Sequence, residues 1–171
     1  VAAAVLPDNA YEKAAVLLEW TQSFRYERNL EQSDFASLPA AFIENRRKDH
    51  EEREEKYRKL LMNLGYSYDY VSSMQLVAGE AVRRGYKVLI LPDTVALGDD
   101  EIASIREFAR RGIVVADGLP GGRHANCRPR DASPLKDIFE TGRGLLFTDL
   151  GDTDHERFES ALVKVGVKVD R

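Results

Sequence analysis

The sequence predicts an α/β domain built on a mostly parallel sheet, and three observations carry that prediction. The first is the order of elements in residues 85–121, GYKVLILPDTVALGDDEIASIREFARRGIVVADGLPG, which runs strand, polar turn, amphipathic helix, strand. The second is the composition of the two strands. Val88-Leu89-Ile90-Leu91 and Ile113-Val114-Val115-Ala116 are continuous apolar runs, as strands buried on both faces require. The third is the helix between them, where Ile102, Ile105, Phe108 and Ala109 share one face at the helical period. Asp99-Asp100-Glu101 on its first turn and Arg110-Arg111 on its last complement the helix dipole. Gly112 is placed to stop the helix, and each strand ends at an acid, Asp93 and Asp117.

The other elements follow along the chain. Residues 1–6, VAAAVL, predict a strand closed by Pro7-Asp8-Asn9, and Asp8 or Asn9 caps a helix over 10–24. Ala14, Ala15, Leu17, Leu18 and Thr21 supply the inward face of that helix. Residues 25–40 are polar and end in Ser37-Leu38-Pro39, a loop. A longer helix spans 41–64. Its first half, ENRRKDHEEREEK, is a solvated charged face with i,i+4 pairs. Its second half carries Tyr57, Leu60, Leu61 and Leu64 as an apolar stripe. Gly65 ends it, residues 68–72 predict a strand and 74–84 a short helix. Residues 118–131, rich in Gly, Pro and Arg, form a surface loop. Ser133-Pro134 opens a helical turn to 139, 144–150 is the last strand, and 154–165 the last helix, with Phe158, Ala161, Leu162 and Val165 inward. The whole, residues 1–171, is one domain: a five-stranded, mostly parallel sheet covered by helices, of flavodoxin-like kind. The expected strand order places 68–72 at one edge, followed by 1–6, 88–91, 113–116 and 144–150. The segments 88–91 and 113–116 are expected to be parallel and the most buried.

Composition bounds the function. A chain of 171 residues is long enough to bury roughly 70% of its unfolded surface. A net charge of −4 argues against a nucleic-acid partner, which favours a basic face. No apolar run approaches the ~20 residues of a membrane span, and no signal peptide opens the chain. The lone Cys127 excludes an intrachain disulfide and a multi-cysteine metal site, and fits a reducing compartment such as the cytoplasm. The chain enters its first strand without a lead-in and ends as abruptly, so it is expected to be a segment of a longer polypeptide.

Open α/β sheets bind ligands beyond the carboxyl ends of their strands. Asp69, Asp93, Asp117 and Asp149 stand at or near such ends and could line a crevice for a sugar or a cation. Aspartates in these places also cap turns and helices. His124 and Cys127 share one loop and suggest a nucleophile with its base, but neither sits on a strand-to-helix turn that would favour a thiolate. Arg123, Arg128 and Arg130 on that loop could bind anions or simply face solvent. His50 and His155 lie in polar segments with no convergent partners, so no metal or cofactor is expected. Gly118-Leu119-Pro120-Gly121-Gly122 lacks the pattern of a phosphate cradle. Trp20, Phe24, Tyr26 and Phe35 offer an aromatic patch for a sugar or a subunit contact, or core packing.

Several blocks in order resemble the trimerisation domain of β-galactosidase-type glycoside hydrolases: LGYSYDYVS (64–72), GYKVLILPDTVAL (85–97), DDEIASIREFARRG (99–112), VVADGLPG (114–121), SPLKDIF (133–139) and VGVKVD (165–170). The resemblance covers residues 57–171. It implies a three-layer αβα sandwich similar to class I glutamine amidotransferases, without their chemistry. In those enzymes a nucleophilic Cys stands on the sharp turn after a strand, and the matching turn here is Ala116-Asp117-Gly118-Leu119-Pro120. The resemblance implies no catalytic residue in this chain, because the family's two catalytic glutamates lie on a separate (β/α)8 barrel. It implies that barrel as an intramolecular partner, a homotrimer, and a carbohydrate substrate for the parent. Trp20, Phe24, Tyr26, Phe35 and Arg123 are the expected interface. The chain departs from the family in having a single Gly112 where paired glycines are frequent, and Gly98 where Ser often caps the helix.

Overall fold

The computed structural model describes residues 40–125, 128–147 and 152–167. The strand expected at 1–6 and the helix at 10–24 lie outside them. Helix α1 spans Ala40–Asn63, followed by α2, Ser73–Val77, and α3, Glu80–Arg83. Then come β1, Val88–Leu91; β2, Ala96–Leu97; α4, Asp99–Ala109; β3, Ile113–Ala116; and β4, Arg123–His124. The chain continues with α5, Lys136–Glu140; β5, Gly144–Leu146; and α6, Asp152–Lys164. The fold is α/β, with parallel strands and covering helices.

The main sheet among the described residues has three strands in the order β1-β3-β5, all parallel. Val88 pairs with Ile113 and Leu91 with Ala116, so the two apolar runs are in register end to end. All four residues of β1 are fully buried, and β3 is nearly so. Side chains alternate across this sheet, which splits the core in two. Val88, Ile90, Ile113 and Val115 meet Tyr57, Leu60 and Leu61 of α1 and Phe158 and Leu162 of α6. Leu89, Leu91, Val114 and Ala116 meet Leu76, Ile105, Phe108 and Ile138 from α2, α4 and α5. Helices therefore cover both faces, and a strand with no solvated side must be apolar at every position.

Three expectations are corrected. Residues 68–72 form no strand. Tyr68 packs in the core on the α1 side and Val71 in the core on the α4 side, so this stretch carries the chain from one face of the sheet to the other. It ends at Ser72, whose Oγ accepts the Gln75 N–H at 3.2 Å while its own N–H donates to Gln75 Oε1 at 2.8 Å, a reciprocal capping box that starts α2. The helix expected over 74–84 is two, divided where Gly79 adopts φ 75°, a left-handed conformation that suits glycine. The loop 118–131 also has structure of its own. Arg123–His124 pairs in parallel with Ala96–Leu97, Arg123 bridges Pro129, and Arg130 Nη2 donates to Leu97 O at 2.9 Å. These contacts tie the described part of the loop to β2 and to the start of α4.

Helix termini mostly follow the sequence. Gly98 caps α4 with extended backbone, and its N–H donates to Glu101 Oε2 at 2.7 Å. Glu101, 5% exposed, thus takes the role that a polar cap side chain would share. Gly112 does not act as a left-handed stop: α4 ends at Ala109 and Gly112 has no positive φ.

Candidate functional site

β1 and β3 run side by side, so the residues that follow them emerge together at one edge of the sheet. Asp93 and Asp117 meet there. The Asp93 N–H donates to Asp117 Oδ1 at 2.8 Å, and both carboxylates are 7% exposed. Asp93 holds φ 44°, the sole positive φ at a non-glycine among the described residues. Aspartate tolerates that region better than most side chains. The turn Pro92-Asp93-Thr94 is closed by the Thr94 hydroxyl, which donates to Pro92 O at 3.2 Å.

α1 supplies what faces these acids. Arg53 Nη1 lies 3.4 Å from Asp117 Oδ2 and 3.8 Å from Asp93 Oδ1. One helical turn later, Tyr57 is fully buried, and its hydroxyl has no hydrogen-bond partner among the described residues. Burial, and then the Asp117 carboxylate, push the Tyr57 phenol well above its ordinary range, with Asp154 adding to the shift and Arg53 opposing it. Asp154, near the start of α6, is 8% exposed and pairs with Arg157 Nη1 at 3.1 Å. Neither Arg53 nor Tyr57 was a site candidate in the sequence, where Arg53 belongs to the solvated charged run 44–56 and Tyr57 to the apolar stripe that follows it. The available signal was the stripe Tyr57, Leu60, Leu61, Leu64, which reaches Arg53 when extended back by four residues.

Asp117 has a raised carboxyl pKa. Burial is the largest cause, opposed by the Asp93 N–H and by Arg53. A raised folded-state value means the native state holds this proton more tightly than the unfolded chain does. Its stabilising contribution is therefore full below the ordinary carboxylate value and is lost as pH rises through the folded value. Asp117→Asn keeps an Oδ1 to accept the Asp93 N–H but cannot ionise. Urea unfolding of both proteins should show the wild type gaining stability relative to Asp117→Asn on acidification from neutral pH. A stability difference that stays flat or widens in the other direction would contradict this assignment.

The other candidates that the structure describes are His124, Arg123 and Asp69. His124 is exposed on β4, and Cys127 lies outside the described residues, as do Asp149, Trp20, Phe24, Tyr26 and Phe35. Arg123 is half-buried on β4, its N–H bonded to Val95 O at 3.0 Å. Asp69 is exposed, with Arg84 Nη1 3.5 Å away, and stands apart from the pair at the sheet edge. Among the described residues no group of His, Cys, Asp or Glu could hold a metal ion, and no helix is long and apolar enough to cross a membrane. A second feature lies on the opposite side of the sheet. An apolar groove of about 400 Å³ runs between α2–α3 and α4, lined by Leu76, Val77, Val82, Ala103 and Phe108. Val77 is 44% exposed, and Met74 on the same short helix is 83% exposed. Comparison with protein-family models, with curated proteins and with solved structures finds no match for this chain.

Proposed function

We propose that the chain is a non-catalytic assembly domain of the trimerisation type found in β-galactosidase-like glycoside hydrolases, with a flavodoxin-like, class I glutamine amidotransferase-like sandwich. In this reading it packs against a catalytic barrel of the same polypeptide and against neighbouring subunits, and supports a sugar-binding active site carried by the barrel. The observation that carries the non-catalytic part is the turn after β3. The turn that corresponds to the nucleophile turn of an amidotransferase, Ala116-Asp117-Gly118-Leu119-Pro120, carries no Cys, and its Asp117 carboxylate accepts the Asp93 N–H and faces Arg53. The apolar groove beside Met74 and Val77 supports the assembly part, because clustered exposed apolar surface marks association sites. The expected subunit-facing residues remain Trp20, Phe24, Tyr26 and Phe35, with Arg123 at the margin.

Sedimentation tests this reading. The parent enzyme is expected to be a trimer, and Phe24→Ser with Tyr26→Ser to shift it toward monomers with a parallel loss of glycosidase activity. The chain by itself should hydrolyse neither glycosides nor amides, and Cys127→Ser should leave the parent's turnover unchanged. A parent that stays trimeric after the double substitution refutes the interface. A tenfold loss of rate in Cys127→Ser would move the reading to an amidase that uses Cys127 and His124.

A further inference from the structure

The groove between α2–α3 and α4 is left open by the residues that form it. α2 and α3 are short and separate, joined where Gly79 turns with φ 75°. The walls are small where the helices approach: Gly79, Ala81 and Ala103 line the groove, and a Cβ built on Gly79 meets nothing within 4 Å. Its floor is the core itself, with Leu76 at 2% and Phe108 at 1% exposure. A volume of about 400 Å³ falls within the range of small-molecule sites.

Of the polar side chains that line it, two are already engaged. The Ser104 hydroxyl donates to Asp100 O at 2.9 Å. Glu107 is flanked by Arg110 Nη1 at 3.1 Å and by Arg111 Nε at 3.6 Å. Arg83 is the third. It is exposed, and its guanidinium has no ion pair or hydrogen bond among the described residues, not even with Glu80 one turn earlier on α3.

We propose that this groove binds a small amphiphilic carboxylate, an apolar chain or ring that carries one carboxylate group. The apolar body lies on Leu76, Val82 and Phe108, and the head pairs with Arg83, whose planar fork matches a carboxylate. Charge selects that head group. Guanidinium groups outnumber the one acid in and around the lining, so an amine is repelled and a neutral head leaves Arg83 without a counter-charge. Size selects a small molecule. A protein partner in a stable interface buries roughly 800 Å² on each side, most of which would have to come from outside the groove. The inference is independent of the assembly reading, whose expected contact is Trp20, Phe24, Tyr26 and Phe35. Met74 is also outside the lining, so a bound molecule leaves it to that contact.

The test is an NMR titration of the full chain with octanoate, 1-octanol and octylammonium, following the methyl resonances of Val77 and Val82. The chain has two methionines, and Met62, exposed on α1 across the sheet, is the internal reference. Octanoate is expected to give saturable shifts at Val77 and Val82 while the Met62 methyl stays in place. Octanol should bind about fivefold more weakly, the effect of an exposed ion pair, and octylammonium more weakly still. Arg83→Gln should lower octanoate to the affinity of octanol. Ala103→Leu fills the groove from an exposed position on α4 and should abolish the shifts, with thermal melts of both variants reporting that the fold is kept. No saturable shift with octanoate, an equal shift at Met62, octylammonium binding as tightly as octanoate, or unchanged affinity in Arg83→Gln would each overturn the proposal. So would groove methyls that respond to protein concentration in place of octanoate, with faster sedimentation, which would put a second copy of the chain there.

Discussion

Ile90→Ala is expected to lose about 2–5 kcal/mol of folding stability, the range for truncating a large aliphatic side chain in a rigid core. Ile90 is fully buried on β1 and pairs in register with Val115 of β3. Its core cluster joins Tyr57, Leu60 and Leu61 of α1 to Phe158 and Leu162 of α6. Removing the side chain opens a void between the sheet and both helices, which the parallel backbone cannot close without breaking the ladder to β3. Domains are stable by only about 5–15 kcal/mol, so this one change removes a large share. In thermal unfolding it amounts to a fall on the order of 10 °C. Met62→Ala is the control: Met62 is 68% exposed, and a substitution of that kind stays within about 0.5 kcal/mol. Equal losses in the two variants would show that β1 is not at the centre of the core.

Gly112→Ala is expected to cost roughly 1–3 kcal/mol, as overpacking does where the surroundings are rigid. A Cβ at this position would stand 2.5 Å from Lys87 O and 2.8 Å from the Phe108 ring. Neither neighbour can yield cheaply. Lys87 O accepts the Ile113 N–H at 2.9 Å, the contact that leads into the β1–β3 ladder, and Phe108 is held in the core at 1% exposure. The demand is for close approach of helix and strand, since Gly112 has no positive φ. Gly122→Ala provides the contrast, because nothing lies within 4 Å of a Cβ there and its φ is not positive. That variant should be neutral or slightly more stable, through the reduced freedom of its unfolded chain. Urea denaturation of the pair separates steric from conformational roles, and equal effects would refute the steric account.

Features set by burial over a few residues were legible in the sequence. The four-residue apolar runs of β1 and β3, the stripe on α4 and the bounds of α1 and α6 follow from side chains that must leave water with a fixed period. The two strand-end acids were also visible, because residues that follow adjacent parallel strands emerge at the same edge. Pairings across long separations were not visible. Ser72 and Gln75 end the extended run at 68–72 by a local cap that competes with strand pairing, and the β2–β4 ladder joins two dipeptides too short to carry a periodic signal. At the candidate site, the apolar runs that precede Asp93 and Asp117 already place both acids beyond two buried strands. The packing of α1 on the sheet settles that Asp117 accepts the Asp93 N–H and that Arg53 faces both acids from α1. The reason is physical: a charged residue within a charged helix carries no local sign of which way it points, and its direction is set by how the apolar stripe one turn later seats the helix on the sheet.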